Sequence, residues 1–204
     1  MAQQASPRMP RGRPREFDTD AAVARAMGVF WSGGYHGTSL PDLLKATALS
    51  RGSLYAAFGD KHGLFLRALD RYIDDALTRL DSELDPRKSA LAGVRKCLAG
   101  YVDRTSGVAG KRGCLVVATA MELAAHDPEV EQRIRRFFKT MESRLTEALA
   151  RAQVSGELAD GVDPRIAARL LVCLVEGMRV VAKTGSDRAT SQAVVQTLID
   201  RFAA

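Results

Sequence analysis

Arg51, Gly52 and Tyr55 stand at a spacing that puts a cation, a glycine and a phenol on the outward side of one short helix. An arginine fork can bond guanine O6 and N7, a glycine lets a helix approach closely, and a phenol hydroxyl can reach a phosphate. That is the chemistry of a helix lying in a DNA major groove. Lys61 and His62 open a further helical stretch, where free N–H groups and a basic side chain favour a phosphate oxygen. Before both, Arg8, Arg11, Arg13 and Arg15 face the single acid Glu16, and Arg-Gly-Arg-Pro in this arm can enter a narrow minor groove.

The elements that must position these side chains lie in Thr38 to His62, TSLPDLLKATALSRGSLYAAFGDKH. It reads as two short helices, a tight turn between them, and the start of a third. Thr38 or Ser39 can cap the first helix, and Pro41 sits in its first turn, where a missing N–H costs nothing. Leu40, Leu43 and Leu44 give it one apolar face. Thr47-Ala48-Leu49 breaks the pattern, and Ser50 offers a second cap, able to accept from Gly52 or Ser53. Leu54 and Phe58, four apart, turn inward and leave Arg51, Gly52, Tyr55 and Ala56 outside. A longer helix precedes, capped by Asp18 or Thr19, with Ala22, Ala26, Val29 and Phe30 inward and Ser32-Gly33-Gly34 ending it.

TSLPDLLKATALSRGSLYAAFGDKHGLF resembles the helix-turn-helix signature of TetR/AcrR-type transcriptional regulators. The resemblance rests on Thr38, Asp42-Leu43-Leu44, Ala46, Leu49, Ser50, Gly52, Leu54, Tyr55, Phe58, Lys61, Leu64 and Phe65. It spans roughly residues 17–69, and RGCLVVATAMELAAHDPEV farther on is also similar. One departure is Ala48, where the family usually has glycine; a left-handed backbone there costs a non-glycine residue roughly 1 kcal/mol. The resemblance implies an all-α protein of about nine helices in three parts. These are a basic arm over 1–16, expected to be disordered because Pro7, Pro10 and Pro14 forbid a helix and apolar residues are few, a three-helix DNA-binding domain over 17–62, and a C-terminal effector-binding and dimerisation domain over 63–204. The candidate DNA contacts are Thr38, Ser39, Ser50, Arg51, Gly52, Ser53, Tyr55, Lys61 and His62, with Arg11 and Arg13 of the arm.

The rest of the chain continues in helices. Asp60 caps one running to about Asp81, whose apolar stripe outlasts the DNA-binding unit and connects the two domains. Others are predicted from about Arg87 to Arg104, over Gly113 to Ala125, from Asp127-Pro128 to about Gln153, from Asp163-Pro164 to about Thr184, and from Asp187 onward, with Ser106 to Arg112 a loop. The last two are apolar enough to need a partner surface. The resemblance implies a four-helix interface with a second copy, for which Leu171, Val175, Met178, Val195, Leu198 and Phe202 are the candidates. A dimer also suits a helix-turn-helix that reads two half-sites about 34–36 Å apart. An effector cavity would draw on Phe65, Cys97, Cys114, Leu115, Met121, Phe137, Met141, Cys173 and Glu176. Most of these are apolar, which favours a partly hydrophobic small molecule.

The 204 residues suffice for a substantial core, and 46% hydrophobic with 26% charged residues is a globular balance. A net charge of +6 permits nucleic-acid binding. Cys97, Cys114 and Cys173, odd in number and widely spaced, indicate a reducing compartment and neither a disulfide scaffold nor a zinc site. Leu170 to Ala182 is interrupted by Glu176 and Arg179, too short and charged to span a bilayer, and the Arg/Pro-rich N-terminus lacks a secretory h-region, so a cytoplasmic protein is expected. No GxSxG, HExxH, Walker loop, GxGxxG or CxxC is present, and His36, His62 and His126 have no nucleophile beside them. No catalysis, cofactor or metal is therefore expected. The leading reading is a homodimeric repressor released from a palindromic operator by an effector. The alternative is an all-α ligand-binding or thiol redox-sensing protein with a secondary DNA role, in which Lys111, Arg112 and helical N–H groups activate Cys114; its apolar sequel Leu115-Val116-Val117 favours plain burial instead.

Overall fold

The computed structural model describes residues 17–204. The arm over 1–16, with Arg11 and Arg13, lies outside the described residues. Among those described the chain forms ten α-helices: α1 Thr19–Gly33, α2 Leu40–Thr47, α3 Arg51–Phe58, α4 Lys61–Glu83, α5 Ala90–Arg104, α6 Gly107–Arg112, α7 Leu115–Leu123, α8 Pro128–Val154, α9 Pro164–Val181 and α10 Arg188–Phe202. A 3-10 turn, Ala182–Thr184, follows α9. The expected count of about nine is met once the short α6 is set apart; it occupies the stretch read as a loop. A β-bridge, Leu158 to Ala203, pins the C-terminal residues back onto the chain.

Short polar side chains start most of these helices. Asp18, Ser39, Ser50, Asp60, Ser89, Asp127, Asp163 and Asp187 each accept from a backbone N–H of the first turn, satisfying donors that the helix itself cannot use. Ser39 and Asp42 form a reciprocal capping box. The Ser39 hydroxyl and N–H hold the exposed Asp42 carboxyl below its ordinary range.

α1, α2 and α3 close around Phe30, Leu43 and Leu54, all fully buried. α4 completes that unit through Leu64, Phe65 and Leu69, the Phe65 ring meeting Phe30 edge-on at 5.0 Å. The same helix then continues against α5, α7 and α8, so one apolar core runs without a break from Val23 to Phe202. Arg133 and Arg144 of α8 reach across to Asp70 (2.9 Å) and Asp81 (3.1 Å) of α4. α8 packs on α5 and α9, and α10 on α5.

The turn between α2 and α3 keeps a left-handed residue despite lacking glycine. Ala48 has φ 58° and ψ 26°. Ala48→Gly relieves about 1–2 kcal/mol of left-handed strain and gives back about 0.4–1 kcal/mol through a freer unfolded chain, for a net gain of roughly 0.5–1 kcal/mol. Urea unfolding of the two proteins should show the glycine variant to be the more stable.

Candidate nucleic-acid interface and adjoining cavity

α3 is eight residues long and its two sides differ completely. Leu54 is fully buried and Phe58 half-buried, whereas Arg51, Gly52, Tyr55 and Ala56 are exposed, Tyr55 by 44%. The Ser50 hydroxyl accepts from the Ser53 N–H at 3.1 Å and pairs with the Ser53 hydroxyl at 2.9 Å. Both serines thus hold the helix N-terminus in shape beside Arg51. The sequence expectation of an outward Arg51-Gly52-Tyr55 row is what the structure presents.

Two of the other expected contacts point elsewhere. Thr38 is 2% exposed, and its hydroxyl is spent on the Gly34 carbonyl at 2.7 Å; Ser39, exposed, is the cap instead. His62 turns away from the α3 surface: its Nε2 lies 2.7 Å from Asp127, the cap residue of α8. That pairing and backbone N–H donors outweigh burial and hold the Asp127 carboxyl below its ordinary range. Lys61 stays half-exposed, its ammonium 4.3 Å from the Tyr35 ring centre.

Further links join the same region to the body of the molecule. Glu122 of α7 accepts from the backbone N–H groups of Tyr35 (2.9 Å) and His36 (2.7 Å). Gly34 makes this approach possible: its φ is +71°, and a side chain there would meet the Glu122 carboxylate at 2.9 Å. Trp31 of α1 donates from Nε1 to the Gly113 carbonyl (3.1 Å), and the Arg112 guanidinium stacks on its ring at 3.9 Å. Sequence alone could not have found these, because each partner is distant along the chain.

Trp31 and Arg112 also stand at a cavity of about 630 Å³, walled by α1, α4, α5, α6 and α9, which Tyr72, Arg79, Arg104 and Arg179 also line. Its volume lies in the range of small-molecule sites, about 300–1,000 Å³. None of the nine residues expected at a cavity lines it. Phe65, Cys97, Leu115, Phe137 and Met141 are packed in the core at 2% exposure or less. Met121 is 85% exposed and Cys173 lies on the surface. Glu176, half-buried, is bound to Arg179 at 3.1 and 3.2 Å. Cys114 is buried just behind the cavity wall, accepting from Arg179 Nη1 (2.9 Å) and the Tyr72 hydroxyl (3.4 Å). The cation at this thiol is therefore Arg179 of α9, not Lys111 or Arg112. Burial, followed by Glu83, pushes the Cys97 thiol well above its ordinary range.

The residues expected at the dimer interface lie inside the protomer. Leu171, Val175, Met178, Val195 and Phe202 are all at most 9% exposed within one protomer, and Leu198 is half-buried against the same core. The exposed apolar side of α9 is instead Ile166 (69%), Leu170 (46%), Val180 (55%) and Val181 (58%), and α10 exposes Val194 (46%). No helix among the described residues is long and apolar enough to cross a membrane, and no cluster of metal-ligating side chains occurs among them.

Comparison with known proteins agrees with this geometry. Residues 22–68 match the family model described as bacterial regulatory proteins, tetR family, and residues 90–198 match tetracyclin repressor-like, C-terminal domain. The chain is 32% identical over 178 residues to the HTH-type transcriptional repressor ComR of Escherichia coli (strain K12), covering 87% of this chain and 85% of that one. It is 34% identical over 157 residues to an uncharacterized HTH-type transcriptional regulator, YezE, of Bacillus subtilis (strain 168), covering 77% and 80%. Among solved structures, a cysteine mutant of the regulator CifR complexed with 26bp double-strand operator DNA superposes with a TM-score of 0.82 at 34% identity, over 94% of this chain and 100% of that one.

Proposed function

The chain belongs to the TetR family of bacterial regulatory proteins, and from that premise we propose that it is a homodimeric repressor whose α3 reads operator DNA and whose cavity takes an effector. The observation that carries the DNA reading is the exposed Arg51-Gly52-Tyr55 side of α3, set on a buried Leu54 and a serine cap. Arg51 supplies base readout. Tyr55, Ser39 and Lys61 supply phosphate contacts that fix register.

The effector reading rests on where the cavity lies. Its wall includes Trp31 near the C-terminal end of α1, the helix that packs beneath α2. Trp31 is tied to Gly113 and Arg112, and the α1–α2 turn is tied to Glu122. A ligand that shifts α6 therefore moves α1, and with it α3. Such a switch requires the ligand to bind the DNA-free arrangement more tightly than the DNA-bound one.

A gel shift with the protein's own promoter region tests the reading. The wild type should retard that DNA. Tyr55→Ala should lose roughly tenfold in affinity, the worth of one contact of about 1.4 kcal/mol, while sedimentation shows an unchanged oligomer. Unaltered affinity in a folded Tyr55→Ala protein would remove Tyr55 from the interface.

A further inference from the structure

Nearly every polar side chain lining the cavity is already committed within the protein. The Trp31 N–H donates to Gly113, the Ser32 hydroxyl to Gly28, and the Tyr72 hydroxyl to Cys114. The Thr105 hydroxyl is taken by the Tyr101 and Val102 carbonyls. Two of the four arginines are also neutralised: Arg104 lies 3.6 Å from Glu83 and Arg179 lies 3.1 Å from Glu176. Arg79 and Arg112 remain. Among the described residues neither has a carboxylate within 4 Å or a side-chain hydrogen bond to a protein acceptor. Arg112 is held only by its stacking on Trp31.

The cavity thus offers apolar walls, no uncommitted neutral donor among these side chains, and two surplus guanidinium groups, both on exposed residues. A neutral polar ligand would find little to bond. An anion would find two forks that match the spacing of carboxylate or phosphate oxygens. We propose that the cavity takes a small amphiphilic anion, a carboxylate or phosphate head on an apolar body, with its head on Arg79 and Arg112 and its body inward against Tyr72. The proposal rests on the effector reading above and names the chemical class of that effector. Because Arg112 covers Trp31, an anion that draws the guanidinium toward its head uncovers the ring at the point where α1 joins the effector domain.

Trp31 is the only tryptophan of the chain, so its fluorescence reports on this cavity alone. The test titrates octanoate, octyl phosphate and octanamide into the full-length protein and follows that signal. At least one of the two anions should give a saturable change, and the amide none at the same concentrations. Arg79→Gln, which leaves the Arg112–Trp31 stack in place, should weaken anion binding about tenfold. Arg112→Gln should do the same when binding is measured by calorimetry, which does not depend on the Trp31 baseline. Equal binding of the amide, no response to either anion, or full affinity in both variants would overturn the proposal. A gel shift on the same samples separates the two readings. Operator binding without any anion response overturns the anion site and leaves the repressor standing; an anion response without operator binding does the reverse.

Discussion

Leu170→Asp should turn the protein into a folded monomer that no longer retards operator DNA. Leu170 is 46% exposed in one protomer and shares the outer side of α9 with Ile166, Val180 and Val181. Cys173 and Gly177 complete a run spaced three and four apart, and both are exposed. A single helix side this apolar is covered in a working protein, and a second copy of the same side is the self-complementary answer for a two-fold dimer. Gly177 has no neighbour within 4 Å of the position a side chain would take, leaving room for a partner helix. An aspartate placed there would be desolvated without a partner in both copies, a cost of several kcal/mol. A loss of about 3 kcal/mol alone weakens association more than a hundredfold. Sedimentation velocity should show the monomer, and circular dichroism should show the helices retained. Leu171→Asp, one residue on but fully buried, should instead unfold the protomer. A Leu170→Asp protein that sediments as the wild-type dimer would place the interface on another surface.

The contrast between Leu170 and Leu171 also shows where the sequence stops being legible. α3 could be oriented from sequence because its two sides differ in chemistry: Leu54 and Phe58 against Arg51 and Tyr55. Period and polarity then fix which side meets the core. α9 could not, because Ile166 through Val181 is apolar nearly all round. One apolar side of it is buried in the protomer and another is exposed, and residue type alone does not tell the two apart. Of the residues expected at the dimer, Leu171, Val175 and Met178 form the inner stripe of α9, and the exposed stripe through Leu170 lies one position away. Helix caps were legible for a different reason, since an Asp or Ser before an apolar run satisfies its own local donors. The cavity was not, because its wall is assembled from five helices and its charged side chains are arginines, which read in a linear chain as solvated surface. The partners of Thr38 and His62 were hidden for the same cause. Each looked like a free polar group near the DNA, and each has a partner that only the fold supplies.

The other large effect concerns Arg179. Its guanidinium is 9% exposed, donates to both oxygens of Glu176, stacks within 4.9 Å of the Tyr101 ring, and reaches Cys114 at 2.9 Å. Burial raises the Glu176 carboxyl above its ordinary 4.5, and Arg179 pulls it back down. Arg179→Met keeps much of the volume but leaves that burial unopposed. Breaking a buried pair from one side costs about 3–5 kcal/mol, so the variant should lose that much stability at neutral pH. The pH dependence follows from the direction of the shift. A carboxyl whose folded pKa lies above its unfolded value binds its proton more tightly when folded. Its stabilising effect is complete below the unfolded value and is lost as pH rises through the folded one. Without Arg179 the folded value of Glu176 moves further up. The gap between variant and wild type should therefore be widest at neutral pH and above, and should narrow as pH falls toward the ordinary carboxylate range. Adding Glu176→Leu to Arg179→Met removes the stranded charge and should restore most of the loss. Urea unfolding from pH 8 down to pH 5 checks both points. A gap that stays constant across that range, or a double variant no more stable than Arg179→Met, would mean that Arg179 stabilises the protein through its packing on Tyr101 and not through Glu176.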